Sequence, residues 1–235
     1  LLDIGTTWLN HGTFDHDVFS TAFEEQCRAV VETQVRPRVD DPQLLGWQLD
    51  NEPDWASLGL GPYLGRANGP GNETCGTSPG CAAAVDLVQS RYGGDLSRLE
   101  ASWGVTVSSW SELPVAARDP HLNKTAFAAD DAAFLQVSSG RYFNSTTSAI
   151  RAVDSNHLIL GVRNFYIPPP VIPAMAPFVD VVDQHCYANL PPLDTLASIH
   201  DITKKPVMVG EFSFTAIDSN MPNTKGARQG DASTT

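Results

Sequence analysis

The chain has 235 residues, of which 42% are hydrophobic, 18% charged and 9% aromatic, a balance that excludes intrinsic disorder and fibrous repeats and provides for a sizeable core. Lys+Arg 15 against Asp+Glu 27 gives a formal net charge of −12 and an isoelectric point near 4.7, which repels phosphate backbones and anionic lipid, so neither nucleic acid nor a membrane is an expected partner. No apolar run reaches the roughly 20 residues of a membrane helix, and Leu1–Asn10 has neither the basic segment nor the small-residue cleavage site of a signal peptide, so the expectation is a soluble chain that is mature, truncated or untargeted.

In chain order, Leu2–Trp8 is the first strand candidate, followed by an Asn/His/Gly loop. From Phe14 to Val35, apolar residues at Val18, Phe19, Ala22, Phe23, Cys27, Val30 and Val31 recur near the helical period. They predict an amphipathic helix capped by Asp15 or Asp17 and stopped before Pro37. Leu44–Leu49 reads as a short buried strand entering the loop Asp50–Trp55. The Gly-, Pro- and Asn-rich stretch Gly59–Cys81 reads as a long excursion outside the core, of the kind that tends to be functional.

Ala82–Tyr92 and Leu96–Trp103 predict short helices, and Ala126–Val153 a longer one. After that the alternation is regular: strand His157–Val162, a Pro-rich loop, a helix near Val171–Phe178, strand Val179–Tyr187, helix Leu193–Thr203 and strand Val207–Phe214. This order implies an α/β class with a parallel sheet and right-handed crossovers. About five such repeats, with polar or aromatic residues at the strand ends, point to a TIM-type (β/α)8 barrel that is incomplete. Residues 1–217 form the partial barrel in this reading, and 218–235 a loop and polar tail.

Cys75 and Cys81 bracket a Gly/Ser/Pro turn where a small disulfide loop is easy to close in an oxidising compartment. Cys27 and Cys186 fall in apolar segments and read as buried thiols. Sequons at Asn72, Asn123 and Asn144 add to an expectation of an extracellular or secretory location. No Cys-x-x-Cys or His-pair spacing suggests zinc, and the cluster Asn10, His11, Asp15, His16 and Asp17 fits no usual ligand set, so no metal is expected. Composition is silent on oligomeric state.

Two acidic positions carry the chemical signal. In GWQLDNEPDW (46–55), Glu52 follows Asn51 at a strand end, so an amide that can hold a sugar hydroxyl sits beside an acid that can reach the glycosidic oxygen. The same residues also suit an ordinary turn. In PVMVGEFSF (206–214), Glu211 interrupts an apolar strand, where an unpaired carboxylate costs several kcal/mol; it lies at the mouth of a site or has dedicated partners. Both acids fall at strand ends and could face each other, and two carboxylates flanking a bond are what glycoside hydrolysis requires.

With these motifs, the sequence resembles the clan A glycoside hydrolases, retaining (β/α)8 enzymes with Asn-Glu after the fourth strand and Glu after the seventh. Residues 2–8, 44–49, 157–162, 179–187 and 207–214 would be strands three to seven. The segment YGGDLSRLEASWGVTVSSW (92–110) is similar to family 42 β-galactosidases and family 50 β-agarases, and GEFSFTAIDSNMPNTKGA (210–227) looks agarase-like. The resemblance implies Glu52 as general acid/base, Glu211 as nucleophile, and Asn51 as the amide on the 2-hydroxyl. Tyr187 in DQHCYAN matches a tyrosine that hydrogen-bonds the nucleophile.

The substrate-binding set is completed by His185, which reads equally as a core histidine, and by Asn164, Trp8 and Trp55 at strand ends. Arg163 either contacts sugar or pairs with an acid, Asn10 or His11 would lie near the sugar, and Trp103 and Trp110 read as packing. The implied activity is cofactor-free, retaining hydrolysis of β-glycosidic bonds in a galactose-containing polysaccharide or oligosaccharide. The alternatives are another β-glycanase (mannanase or glucanase) and a non-catalytic carbohydrate-binding fragment. Strands one, two and eight are not recognisable, so a fragment with open sheet edges is expected.

Overall fold

The computed structural model describes residues 2–3, 17–66, 74–188 and 190–213. Helix α1 (Thr21–Val30) buries Phe23, Cys27 and Val30 and runs on through a π-helical turn, Val31–Val35, and a 3-10 turn, Arg36–Arg38. It starts later than the sequence predicts. Ser20, not Asp17, is the cap, its hydroxyl accepting from the Phe23 N–H at 3.1 Å. Asp17 instead reaches across to accept from the Gly80 N–H at 2.8 Å. Asp15, Trp8, Asn10 and His11 lie outside the described residues.

The Gly/Pro-rich stretch is not outside the core. It contains α2 (Leu60–Arg66), whose Leu60, Tyr63 and Leu64 stand three and four residues apart and are fully buried or nearly so. Asp131 accepts from the Leu60 N–H at 2.6 Å and fixes the start of that helix. Cys75 and Cys81 are joined in a disulfide just ahead of and within α3 (Pro79–Arg91), while Cys27 and Cys186 are free and buried. Helix α4 (Leu96–Trp103) ends at Gly104, whose φ of 71° is the left-handed cap conformation.

After the short α5 (Leu113–Ala116) comes the spine of the molecule, α6 (Lys124–Arg151), capped by the Asn123 side chain. It packs against α1, α2 and α7 (Val171–Met175) and buries Phe134, Tyr142 and Phe143. Trp103 is packing, as expected, with its indole N–H donating to Asp130 at 2.7 Å. Helix α8 (Leu193–Thr203) lies between the last two strands in sequence. No described helix is long and apolar enough to cross a membrane.

The strands are short: β1 (Leu2–Asp3), β2 (Gly46–Gln48), β3 (Leu158–Ile159), β4 (Val182–Asp183) and β5 (Val207–Met208). Each lies inside a predicted strand, and all observed pairings are parallel: β1 with β2, β2 with β3, β4 with β5. The two groups are linked by backbone bonds, Asp180 N–H to the Ile159 carbonyl at 2.8 Å and His185 N–H to the Asn164 carbonyl at 2.6 Å. The strands therefore follow one another in space as in sequence, with helices in the connections, which is the α/β arrangement expected. The described residues form these two small sheets and no closed barrel.

Candidate active site

Because the strands run parallel and in order, the segments after them converge at one end of the sheet: Asn51 and Glu52 after β2, Arg163 and Asn164 after β3, His185 and Tyr187 after β4, Glu211 after β5. The ladder continues beyond β2 and β3 as a bridge between Asn51 and Arg163, with the Glu52 N–H donating to the Arg163 carbonyl at 2.7 Å. Those bonds hold Glu52 at φ 46°, a left-handed backbone that a side chain other than glycine rarely takes.

His185 stands between the two glutamates. Its side chain is fully buried; Nδ1 lies 2.8 Å from Glu52 Oε1 and Nε2 3.7 Å from Glu211 Oε2. One oxygen of each glutamate and one His185 nitrogen all lie within 4.8 Å of one another. Glu211 has dedicated partners, as its place in an apolar strand requires: the Tyr187 hydroxyl donates to Oε1 and the Arg163 guanidinium to Oε2. Both glutamates keep about a third of their surface open, 31% and 32%, so both reach a ligand. Asn51 Oδ1 is buried and accepts no hydrogen bond among the described residues.

The spacing of Glu52, His185 and Glu211 is one a cation could use. Arg163 and Tyr187 already occupy the two oxygens of Glu211, however, and a guanidinium beside the position opposes a second positive charge. The donor set fits a paired carboxylate better than a metal ligand.

Two residues of the expected sugar site have other work. Asn164 is 1% exposed; its Oδ1 accepts from the Trp55 indole N–H at 3.0 Å and its Nδ2 donates to the Val162 carbonyl at 2.7 Å. Trp55 is 3% exposed and stacks on Phe143 with ring centroids 5.7 Å apart. The pair joins the ends of β2 and β3 from within, although Trp55 also contributes to the wall of a concavity with Glu52 and Pro53. Trp8 lies outside the described residues.

Phe165 and Tyr166, which are not among the expected site residues, are 60% and 65% exposed. They form a common wall between the concavity at Glu52 and a second one lined by His185 and Tyr187. The signal was available in RNFY, two aromatic residues directly after a strand end. Asp183, also absent from the expected set, is fully buried beneath the site, where burial pushes the carboxyl above its ordinary range while the Gly210 N–H and the charges of His185 and Arg163 pull it back.

No protein-family profile matches the chain. It is similar to beta-agarase B of Vibrio sp. (strain JT0107), 28% identical over 216 residues that make up 88% of this chain and 22% of that protein. It is also similar to beta-agarase A of the same strain, 29% identical over 211 residues, 81% of this chain and 20% of that protein. The chain thus spans about a fifth of the length of the curated relatives it matches. Among solved structures, an agarase superposes with a TM-score of 0.73 at 28% identity, covering 90% of this chain and 30% of that one. A beta-galactosidase from the psychrophilic Marinomonas ef1 superposes with a TM-score of 0.55 at 14% identity, covering 83% and 32%. The two groups that the sequence resembles thus both appear, and the chain has the fold of a segment shared by agarase and beta-galactosidase structures.

Proposed function

We propose that this chain forms part of the (β/α)8 barrel of a clan A enzyme and contributes both catalytic carboxylates of a retaining β-glycosidase acting on an agarose-type galactan. The observation that carries the proposal is the meeting of Glu52 and Glu211, with oxygens within 4.8 Å, at one end of a parallel sheet. An approach this close lets both carboxylates act on one bond. The assignment of double displacement rests on the resemblance to retaining enzymes with Asn-Glu and Glu at two strand ends.

In this mechanism Glu211 attacks the anomeric carbon while Glu52 gives its proton to the departing oxygen. Glu52 then takes a proton from water, which attacks the same carbon and releases Glu211. Arg163 and Tyr187 aim the Glu211 carboxylate, and His185 links the two acids. The free Asn51 Oδ1 suits a sugar hydroxyl, and Phe165 and Tyr166 offer apolar faces to a pyranose ring. The residues alone supply the chemistry, with no cofactor. The Cys75–Cys81 bond suits an oxidising, extracytoplasmic location.

The test is release of reducing ends from agarose by the protein that carries these residues, compared with its Glu52→Gln and Glu211→Gln variants. Turnover should fall by at least about 10³-fold in both, with the circular dichroism spectrum unchanged. Wild-type activity on mannan or cellulose instead of agarose would move the substrate to another β-glycan. Binding to agarose without turnover would favour a carbohydrate-binding segment, a reading that the 22% coverage of the first relative keeps in view.

A further inference from the structure

We infer that Asp183 is a positioning residue: it pins a bulge in the strand that ends with Glu211, and that bulge turns Glu211 toward His185 and Tyr187. The inference rests on the reading of Glu211 as nucleophile and concerns how the fold presents it.

The register gives the bulge. Strands β4 and β5 pair Val182 with Val207 and Asp183 with Met208, yet the next bridge joins Cys186 to Phe212. Between the two bridges the β5 side advances one residue more than the β4 side. The hydrogen bonds record the same slip: the Gln184 N–H goes to the Met208 carbonyl at 3.0 Å, and the Cys186 N–H to the Glu211 carbonyl at 2.9 Å rather than to Gly210. One residue of β5 is thus inserted between Met208 and Phe212.

The slip decides which way Glu211 faces. Side chains alternate along a strand, so Asp183, His185 and Tyr187 share a face, and Gln184 and Cys186 share the other. In unbroken register Glu211 would stand opposite Cys186, on the wrong face. Shifted by one, it stands opposite His185, on the face where Tyr187 and His185 meet it.

The bulge releases the Gly210 N–H from the ladder, and Asp183 captures it: Oδ1 accepts that N–H at 3.0 Å. The other oxygen accepts from the Gln48 amide of β2, so the carboxylate ties the second, fourth and fifth strands together. A Cβ on residue 210 would run into the Asp183 carboxylate, so a glycine is required where the pin is made. None of these residues touches the reacting atoms as assigned above.

Two measurements on the intact protein test this. By hydrogen exchange, Asp183→Ala should cut protection of the Gly210 amide about tenfold, with Gln184 little changed. With agarose oligosaccharides, Asp183→Ala should lower kcat about 10²-fold through misplacement of the nucleophile, with KM little changed. Asp183→Asn retains an acceptor for the Gly210 N–H and should recover most of that loss. Unchanged Gly210 protection, or an unchanged kcat in Asp183→Ala, overturns the inference, as does a loss that Asn does not repair. If wild-type protein leaves agarose intact, the glycosidase reading falls on its own, and the exchange measurement still decides whether Asp183 holds the bulge.

Discussion

Arg163 and Tyr187 each take one oxygen of Glu211, so the carboxylate's orientation depends on two neighbours with different chemistry. Replacing the guanidinium by an apolar group leaves one oxygen unheld beside a buried His185. Arg163→Leu should therefore reduce kcat on agarose by about 10²-fold or more, and Arg163→Lys should restore little, because an ammonium lacks the planar fork. Steady-state kinetics of the two variants checks this. At the same scale, burial first and the nearby Asp50 second push the Cys27 thiol up to about 12. Cys27 should resist iodoacetamide in the folded protein and react once denatured, which mass spectrometry of the alkylated peptides reads directly.

Much of the residue-scale picture was legible because a lone acid at the end of an apolar run needs a reason to be there. Glu211 stands out for that reason, Glu52 for its place beside Asn51 at a strand end, and His185 by alternation from Tyr187, which only the family resemblance supplied. Asp183 and the occupation of Asn164 were not legible, since their partners come from distant parts of the chain: Gln48 is 135 positions from Asp183, and Trp55 is 109 from Asn164.

At the scale of elements, the joint between α6 and β3 is held by a buried cluster. Asp154 accepts from the Trp47 indole at 2.7 Å and pairs with His157 Nδ1 at 2.7 Å, while His157 Nε2 meets the Asp41 carbonyl at 3.0 Å. Burial alone would raise the Asp154 carboxyl, but the His157 N–H, the indole, the His157 ring and the Asn156 N–H outweigh it and hold it at about 2. For His157 burial lowers the value and the Asp154 bond, with Asp41, more than restores it, leaving the imidazole above its usual 6.5.

The signs differ. The Asp154 contribution is complete above its unfolded value of 3.8 and is lost as pH falls toward 2. The His157 contribution is complete below 6.5 and is lost as pH rises through its higher folded value. Thermal stability should thus be best supported by this cluster between those limits, with the acid side worth on the order of 2 kcal/mol. Asp154→Ala should lower Tm at pH 5.5 and flatten both limbs of a Tm–pH scan. An unchanged profile would show that the cluster does not set the pH dependence of stability.

Helices α4 and α8 coincide with their predicted spans because their apolar period is unbroken. Helix α2 was missed because its three buried residues are set among glycine and proline, and one of the helices it packs against, α6, is distant in sequence. The bulge in β5 was invisible for another reason. Alternation in PVMVGEFSF gives a face for each side chain only once the register is known, and the register is set by the neighbouring strand.

Among the described residues, five parallel strands in sequential order bring four strand ends with polar side chains to one place, and helices pack in the connections. The order of elements was readable in the sequence, since each strand is a short apolar run and each crossover has its own helix. The partial barrel was read from the number of repeats and the residues at their strand ends, and it stays a proposal for a chain that spans 22% and 20% of the agarases it matches.

The reaction proposed for Glu52 and Glu211 is cleavage of a β-galactoside linkage with retention. Proton NMR during the first minutes of agarose oligosaccharide hydrolysis, before mutarotation equilibrates the new reducing ends, tests it most directly. The β-anomer should appear first, and Glu211→Gln should form none. Initial appearance of the α-anomer, or hydrolysis that survives Glu211→Gln, would contradict it.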